Sequence, residues 1–484
     1  MIPFLRALFL VGAMLLAAAA PAYAQPSGSD NGLPQLGDPN LGVMSPAEAH
    51  RLGRSFLRSL RSQTPVLEDP LIQEYAESLV YRLASFSDIH EPDLAIVVID
   101  TPEINAFAVP GGVIGLNAGL FLNASSDAEV AAVIAHELGH VSQHHFARRY
   151  MESKKMSKTV LAAMLASIVL AITGAGQAGM AGIAATQAGA IQSQLAYSRS
   201  YEREADRIGM QTLARAGMNP MAMPRFFEKM LERQRFNGQP PEFLLTHPVT
   251  ESRIADTRAR ARNLPHPVTH PTLHFELVRA RVQVRYFDTT ARARDYFTKR
   301  LQQGSSVQRQ AAQYGLALTE LRDNHYDKAR EQMAALASQH PNQLWYQMSL
   351  MQIDLADGHY PQAIAKGHEL LRISPEDYAA TIFTVRACLR SKQPGKALPL
   401  LEPLLLKRPN DPLLWSMEAD ARGNSGDDAR AHRARAETLF LTGHNEKAFK
   451  QMEYALQDTR NEFALHARFS ARLDRMKALS EEEF

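Results

Sequence analysis

The sequence predicts a mainly α chain with one small β-sheet, an α+β body followed by an array of paired helices. Three observations carry that reading. A His-Glu-Leu-Gly-His string at 136–140 lies inside an amphipathic helical pattern. A short β-branched run and a glycine-containing hairpin pattern precede it. The last third of the chain repeats itself every 34 residues.

Composition sets the outer limits. The chain has 484 residues, 45% hydrophobic and 21% charged, which is globular rather than disordered or fibrous. At about 150 residues per domain, two or three cores are expected. Lys+Arg 53 against Asp+Glu 51 leaves a net charge of +2, so no nucleic-acid partner is expected. The single cysteine, Cys388, excludes both an intramolecular disulfide and a Cys-ligated metal cluster.

The N-terminus carries Arg6, then an uncharged apolar run from Ala7 to Ala20, then Pro21 and the small residues of Ala22-Tyr23-Ala24. The run is short for a membrane span of about 20 residues. It reads as a secretory signal, residues 1–24, cleaved after Ala24, with the periplasm as destination. The residue that follows the cleavage site is Gln25 and not a cysteine, so no lipid anchor is expected there. Residues 25–44 are rich in Gly, Pro, Ser, Asp and Asn and read as a flexible leader.

The α+β body is expected over 45–270. Leu52, Phe56 and Leu60, then Ile72, Tyr75, Leu79 and Leu83, keep helical spacing. Leu94–Asp100 is a buried strand. Phe107–Leu122 alternates strand formers with glycines, and Pro110 assigns it to a sheet edge or a bulge. Ser126 and Glu129 form a capping-box pattern at the start of the next helix. Its apolar stripe is Val130, Val133, Ile134, Leu138 and Val141. A further helix runs from Arg199 to Ala216, with Gly217 as its stop.

The 136–140 string carries the chemistry. Residues four apart share a helix face, so His136 and His140 can chelate one zinc ion while Glu137 takes a proton from metal-bound water. A catalytic zinc needs a third protein ligand and one open position. The spacing that would add a histidine shortly downstream is absent, because Gln143 and Phe146 hold those places. Glu202, on the later helix, can supply the third ligand, and Asp206, four residues on, can orient a ligand histidine through its free ring N–H. The alternative for this pair is a surface acidic face beside Arg203 and Arg207. Glu204 is expected to face solvent, and His144 and His145 to end their helix.

Thr159–Ser198 has no charged residue and five glycines. It is open between a single marginal span and a glycine-jointed helical insertion touching a membrane surface or apolar clients. Its glutamines favour the insertion.

Residues 271–305 connect to the repetitive part, 306–484. Pro341, Pro375 and Pro409 keep a 34-residue interval, as do Ala329, Ala363, Ala397 and Ala431, and Tyr326 with Tyr360. This resembles an α-solenoid of tetratricopeptide repeats, about four over 306–460.

The HELGH string, Asn105-Ala-Phe-Ala-Val-Pro-Gly-Gly112 and the Glu202/Asp206 pair together resemble the HtpX-like zinc metallopeptidases, metallopeptidase family forty-eight, over about 65–260. The resemblance implies a gluzincin-type α+β peptidase domain with one Zn2+ per chain. A signal in front and repeats behind resemble a branch concerned with outer-membrane protein quality control. That implies assembly of β-barrel proteins and degradation of misfolded ones. The implied partners are unfolded or stalled outer-membrane β-barrel proteins and, through the repeats, the β-barrel assembly machinery. Any disulfide in the repeats of relatives is absent here. A similar His-Pro segment follows the third ligand in relatives. It leaves His247 open between an oxyanion stabiliser and a regulator occupying the free zinc position, and Arg253 is a second oxyanion candidate. Phe107–Leu116 is open between a core hairpin and a segment that pairs with extended substrate. The alternative function is a non-proteolytic repeat scaffold or holdase with a latent protease fold.

Overall fold

Helix α1 (Pro46–Gln63) opens with a complete capping box, in which the Ser45 hydroxyl accepts from Glu48 N–H and the Glu48 carboxylate accepts from Ser45 N–H. Helix α2 (Pro70–Ala84) starts at Asp69, whose carboxylate accepts from the N–H groups of Leu71 and Ile72. Both begin on a proline, whose missing N–H costs nothing in a first turn. This computed structural model describes residues 44–89, 93–152, 199–237, 241–268 and 270–481. The expected signal, the leader through residue 43 and the uncharged stretch 159–198 lie outside them. Among the described residues, no helix is long and apolar enough to cross a membrane.

A three-stranded sheet follows: β1 (Ala95–Ile99), β2 (Ala106–Val109) and β3 (Val113–Asn117), in the order β1-β3-β2. β3 runs parallel to β1, with Ala95 opposite Val113, and antiparallel to β2, with Ala108 opposite Ile114. The period of two sorts its side chains cleanly. Val97, Ile99, Phe107, Val109 and Val113 pack with Leu52, Phe56, Leu57 and Leu60 of α1. Ile96, Val98, Ala108, Ile114 and Leu116 point the other way, into the main core. Pro110 lies in the β2–β3 turn with Gly111 and Gly112, both at positive φ. A Cβ on Gly111 would stand 2.3 Å from Ala49 O, so α1 can rest on the turn only over a glycine. Of the Phe107–Leu116 segment, therefore, β2 forms the edge and β3 is interior.

After α3 (Ala118–Asn123), helix α4 (Asp127–Ser142) is buried on every side from Asp127 to His140. The expected capping box is half formed. Ser126 accepts from Glu129 N–H, but the Glu129 carboxylate takes Ser125 N–H at 2.8 Å and Lys229 Nζ at 2.6 Å. Helix α5 (His145–Glu152) follows, and α6 (Arg199–Arg215) crosses α4 closely. A Cβ on Gly139 would lie 2.9 Å from Ala205 O, and one on Gly209 3.0 Å from Ala135 O. These glycines let the two backbones approach. Gly217 then ends α6 at φ +69°. Helices α7 (Ala222–Asn237), α8 (Glu242–Thr246) and α9 (Glu251–Arg262) complete this part.

Helices α10 (Leu273–Tyr286) and α11 (Thr290–Gln303) lead into five helix pairs. These are α12 (Ser306–Arg322) with α13 (Tyr326–Gln339), α14 (Leu344–Ala356) with α15 (Tyr360–Ile373), and α16 (Tyr378–Arg390) with α17 (Pro394–Lys407). Then come α18 (Pro412–Asn424) with α19 (Asp428–Leu441), and α20 (Asn445–Asp458) with α21 (Phe463–Glu481). The periodic alanines 329, 363, 397 and 431 are fully buried where helices meet. The backbone shows a second 34-residue rhythm. Asn324, Gly358, Lys392 and Gly426 all take positive φ in the turn within a pair.

The repeats pack against the first body. Arg281 on α10 donates to the Asp69 cap of α2, to the Tyr314 hydroxyl at 2.7 Å and to Gln352 at 2.8 Å. Arg408 pairs with Glu77, and the Arg58 guanidinium lies 4.7 Å from the Phe440 ring centroid. Residues 43–484 form one compact unit, so the array is docked rather than tethered.

Candidate metal centre

The crossing of α4 and α6 brings His136 and His140 to Glu202. The loop after α8 adds His247 from the opposite side. All four are buried, and their donor atoms lie within 4.8 Å of one another. His136 Nε2 is 3.0 Å from His140 Nε2, 3.3 Å from His247 Nδ1 and 3.5 Å from Glu202 Oε2. Glu202 Oε1 is 3.4 Å from His140 Nε2 and 3.1 Å from His247 Nδ1. Four donors around a tetrahedral ion with bonds of about 2.0–2.1 Å stand about 3.3 Å apart. The residues present therefore fit one small cation. Glu137 lies beside them, its Oε1 buried without a hydrogen bond and 3.5 Å from His247 Nε2.

Asp206, one turn beyond Glu202, sits 2.9 Å from His136 Nδ1, the nitrogen facing away from the cluster. Arg253 fixes both acids. Its Nε and Nη2 donate to the two Asp206 oxygens at 2.9 and 2.8 Å. Its Nη1 lies 2.6 Å from Glu202 Oε2 and donates to Pro248 O at 2.8 Å. The guanidinium is thus a clamp across α6, α9 and the His247 loop.

The local field favours positive charge. Burial opposes protonation of His136, but Asp206 and Glu202 outweigh it and carry the ring up to about 9. A ring that binds a proton this readily stands where a cation would displace that proton. Burial pushes the Glu202 carboxyl up, yet His247 and Arg253 hold it well below the usual range. Burial drives His140 well down. Burial also raises Glu137, against His247, His136 and the Ala108 backbone hydrogen bond.

Two further residues adjoin the cluster. His145 is buried, with Nδ1 2.8 Å from His140 Nδ1 and Nε2 3.1 Å from Glu204 Oε2. Burial lowers it to about 4. Glu204 is partly exposed, and Arg148 donates to the same oxygen at 2.9 Å. His144, exposed at φ +51°, turns the chain so that α5 folds back on the end of α4. A single positive-φ residue inside a helical pattern leaves no signal in the sequence, so this contact was invisible there.

The comparisons decide the family. The sequence profile of peptidase family M48 matches residues 70–261, which hold every residue of this cluster. A protein named beta-barrel assembly-enhancing protease in Escherichia coli (strain K12) is 34% identical over 98% of this chain and 96% of its own length. The chain belongs to peptidase family M48. This peptidase is also 35% identical, over 88% of each chain, to a putative beta-barrel assembly-enhancing protease of Vibrio cholerae. The mitochondrial metalloendopeptidase OMA1 of Arabidopsis thaliana is 32% identical over 39% of this chain and 36% of its own. A tetratricopeptide repeat profile matches 354–421, within the helix pairs. The peptidase is thus a metalloendopeptidase of the HExxH type with a C-terminal repeat array.

Proposed function

We propose that this peptidase is a zinc endopeptidase of the bacterial periplasm. On this reading it cuts unfolded or stalled outer-membrane β-barrel proteins, and its repeats hold those clients or the β-barrel assembly machinery. The observation that carries the chemistry is the set of four buried donors 3.0–3.5 Å apart. The biological setting is supported by relatives matched over nearly their whole length and by the secretory pattern of residues 1–24.

Two imidazoles and a carboxylate are a donor set that suits zinc. His136, His140 and Glu202 would hold the ion, which supplies polarisation of the scissile carbonyl and a more acidic water. Glu137 accepts that water's proton and returns it to the leaving amine. Asp206 keeps His136 in the tautomer whose Nε2 faces the cation. Among the described strands β2 pairs with β3 alone, so its other edge can take an extended client as an added strand. Recognition through backbone suits unfolded chains of any sequence.

His247 Nδ1 lies 3.3 Å from His136 Nε2 and 3.1 Å from Glu202 Oε1, where it would fill the position left open on the ion. We assign it the regulatory role: it closes the site in the resting state and must leave before substrate enters. This closure also gives the holdase alternative its one favourable observation. The test is cleavage of a purified unfolded outer-membrane β-barrel protein by the mature chain and by His247→Ala. Faster cleavage by His247→Ala is the expected result. Loss of cleavage would make His247 a required group and end the latency reading.

A further inference from the structure

We infer that His145 and Glu204 form a positioning relay for the metal ligand His140, a role that rests on the metal-centre reading above. The chain of contacts runs inward from the surface. Arg148 Nη1 donates to Glu204 Oε2 at 2.9 Å, Glu204 Oε2 lies 3.1 Å from His145 Nε2, and His145 Nδ1 lies 2.8 Å from His140 Nδ1. Hydrogen-bond chemistry fixes the direction. His140 turns Nε2 toward the other donors, so its Nδ1 carries the hydrogen. His145 must then accept at Nδ1 and donate from Nε2 to a carboxylate, which has only lone pairs to offer. One neutral tautomer of His145 satisfies both partners.

The two ligand histidines are thus oriented differently. His136 meets a carboxylate directly, at Asp206. His140 reaches one through an intervening imidazole. A metal-bound histidine needs its second nitrogen held by an acceptor, which fixes the ring and raises its basicity. Among the described carboxylates near it, Glu202 faces Nε2 of His140 and Glu204 sits one ring farther out.

The relay is held on both sides. His145 is fully buried and stacks on Tyr201 at 4.7 Å between centroids and 25° between planes. The Arg148 guanidinium lies 4.7 Å from the same Tyr201 ring. Tyr201, Glu202 and Glu204 all belong to the start of α6. One helix therefore supplies a ligand, the far end of the relay and the platform under it. Displacing α6 would disturb both the metal-binding carboxylate and the orientation of His140.

The test is zinc affinity, measured by competition with a chromophoric chelator on the full mature chain, beside the melting temperature of each metal-free protein. His145→Leu keeps bulk but removes both hydrogen bonds, and should weaken zinc binding about 10–100-fold. His145→Asn keeps an acceptor near the Nδ1 position and should bind more tightly than His145→Leu. Glu204→Gln, a partly exposed change with little folding risk, should weaken binding less than His145→Leu. It decides the matter if the His145 variants fail to fold. A packing role would instead lower the melting temperatures of both His145 variants and leave zinc affinity alone. His145→Leu and Glu204→Gln both within twofold of wild-type affinity would overturn the relay. If the wild type itself takes up no zinc, the metal reading falls first and the relay falls with it.

Discussion

Replacing Arg253 by methionine tests how the metal centre is held together. Three guanidinium nitrogens lie 2.6–2.9 Å from oxygens of Glu202 and Asp206, and all three side chains are at most 5% exposed. Methionine fills much of the same volume, so the loss is one of charge rather than packing. Removing one partner of a buried ion pair costs about 3–5 kcal/mol, because the charge left behind stays out of water. In the metal-free protein two carboxylates lose their strongest partner. In the loaded protein the cation still faces Glu202, so the cost moves toward the lower end. For one compact unit of about 440 residues, at about 2.1 cal/mol/K of unfolding entropy per residue, each kcal/mol is worth about 1 °C. The metal-free midpoint should therefore fall by about 3–5 °C, and the zinc-loaded midpoint by less. Thermal melting with and without chelator reads both values. A metal-free shift under about 2 °C, or equal shifts in the two forms, would refute the clamp.

Three further outcomes follow from the packing and the charges. Gly209→Val places a branched side chain where a Cβ would already meet Ala135 O at 3.0 Å, so α6 should move away from α4. A stability loss of about 1–3 kcal/mol together with loss of stoichiometric zinc is expected, and retained zinc would argue against the crossing. Burial, then the neighbouring Asp377, raises Glu74 to about 7 where α2 meets the repeats. The folded state then binds a proton more tightly than the unfolded chain, so stability should fall as pH rises from about 4.5 to about 7. Glu74→Gln should flatten melting temperature across that window, and an unchanged slope would exclude Glu74 as the source. Lys392 occupies the left-handed turn position that glycine holds at 358 and 426. Lys392→Gly should stabilise the array by up to about 1 kcal/mol, read as a higher denaturant midpoint, and destabilisation would contradict the strain.

Much of the centre was legible because its logic is local. His136 and His140 are four apart on one helix, and so are Glu202 and Asp206, so each pair shares a face whatever the tertiary structure. His247 was visible as a candidate, but only the structure shows its Nδ1 among the donors. His145 and Glu204 were not legible. Glu202 and Glu204 are two apart on α6, which points them in different directions, and Glu204 finds its partner only because His144 turns the chain back. The repeats announced themselves through Pro341, Pro375, Pro409 and the alanines. Their left-handed turns at Asn324, Gly358, Lys392 and Gly426 did not, since three residue types share one backbone conformation. Docking through Arg281 and Asp69 joins residues 212 positions apart, a separation at which no local pattern survives.

On the proposed mechanism Glu137 performs proton transfer at a zinc ion held by His136, His140 and Glu202. The most direct test compares wild type and Glu137→Gln for bound zinc and for cleavage of an unfolded outer-membrane β-barrel protein. One zinc per chain in both proteins and cleavage by the wild type alone are the expected results. Equal cleavage by both, or zinc in neither, would contradict that mechanism.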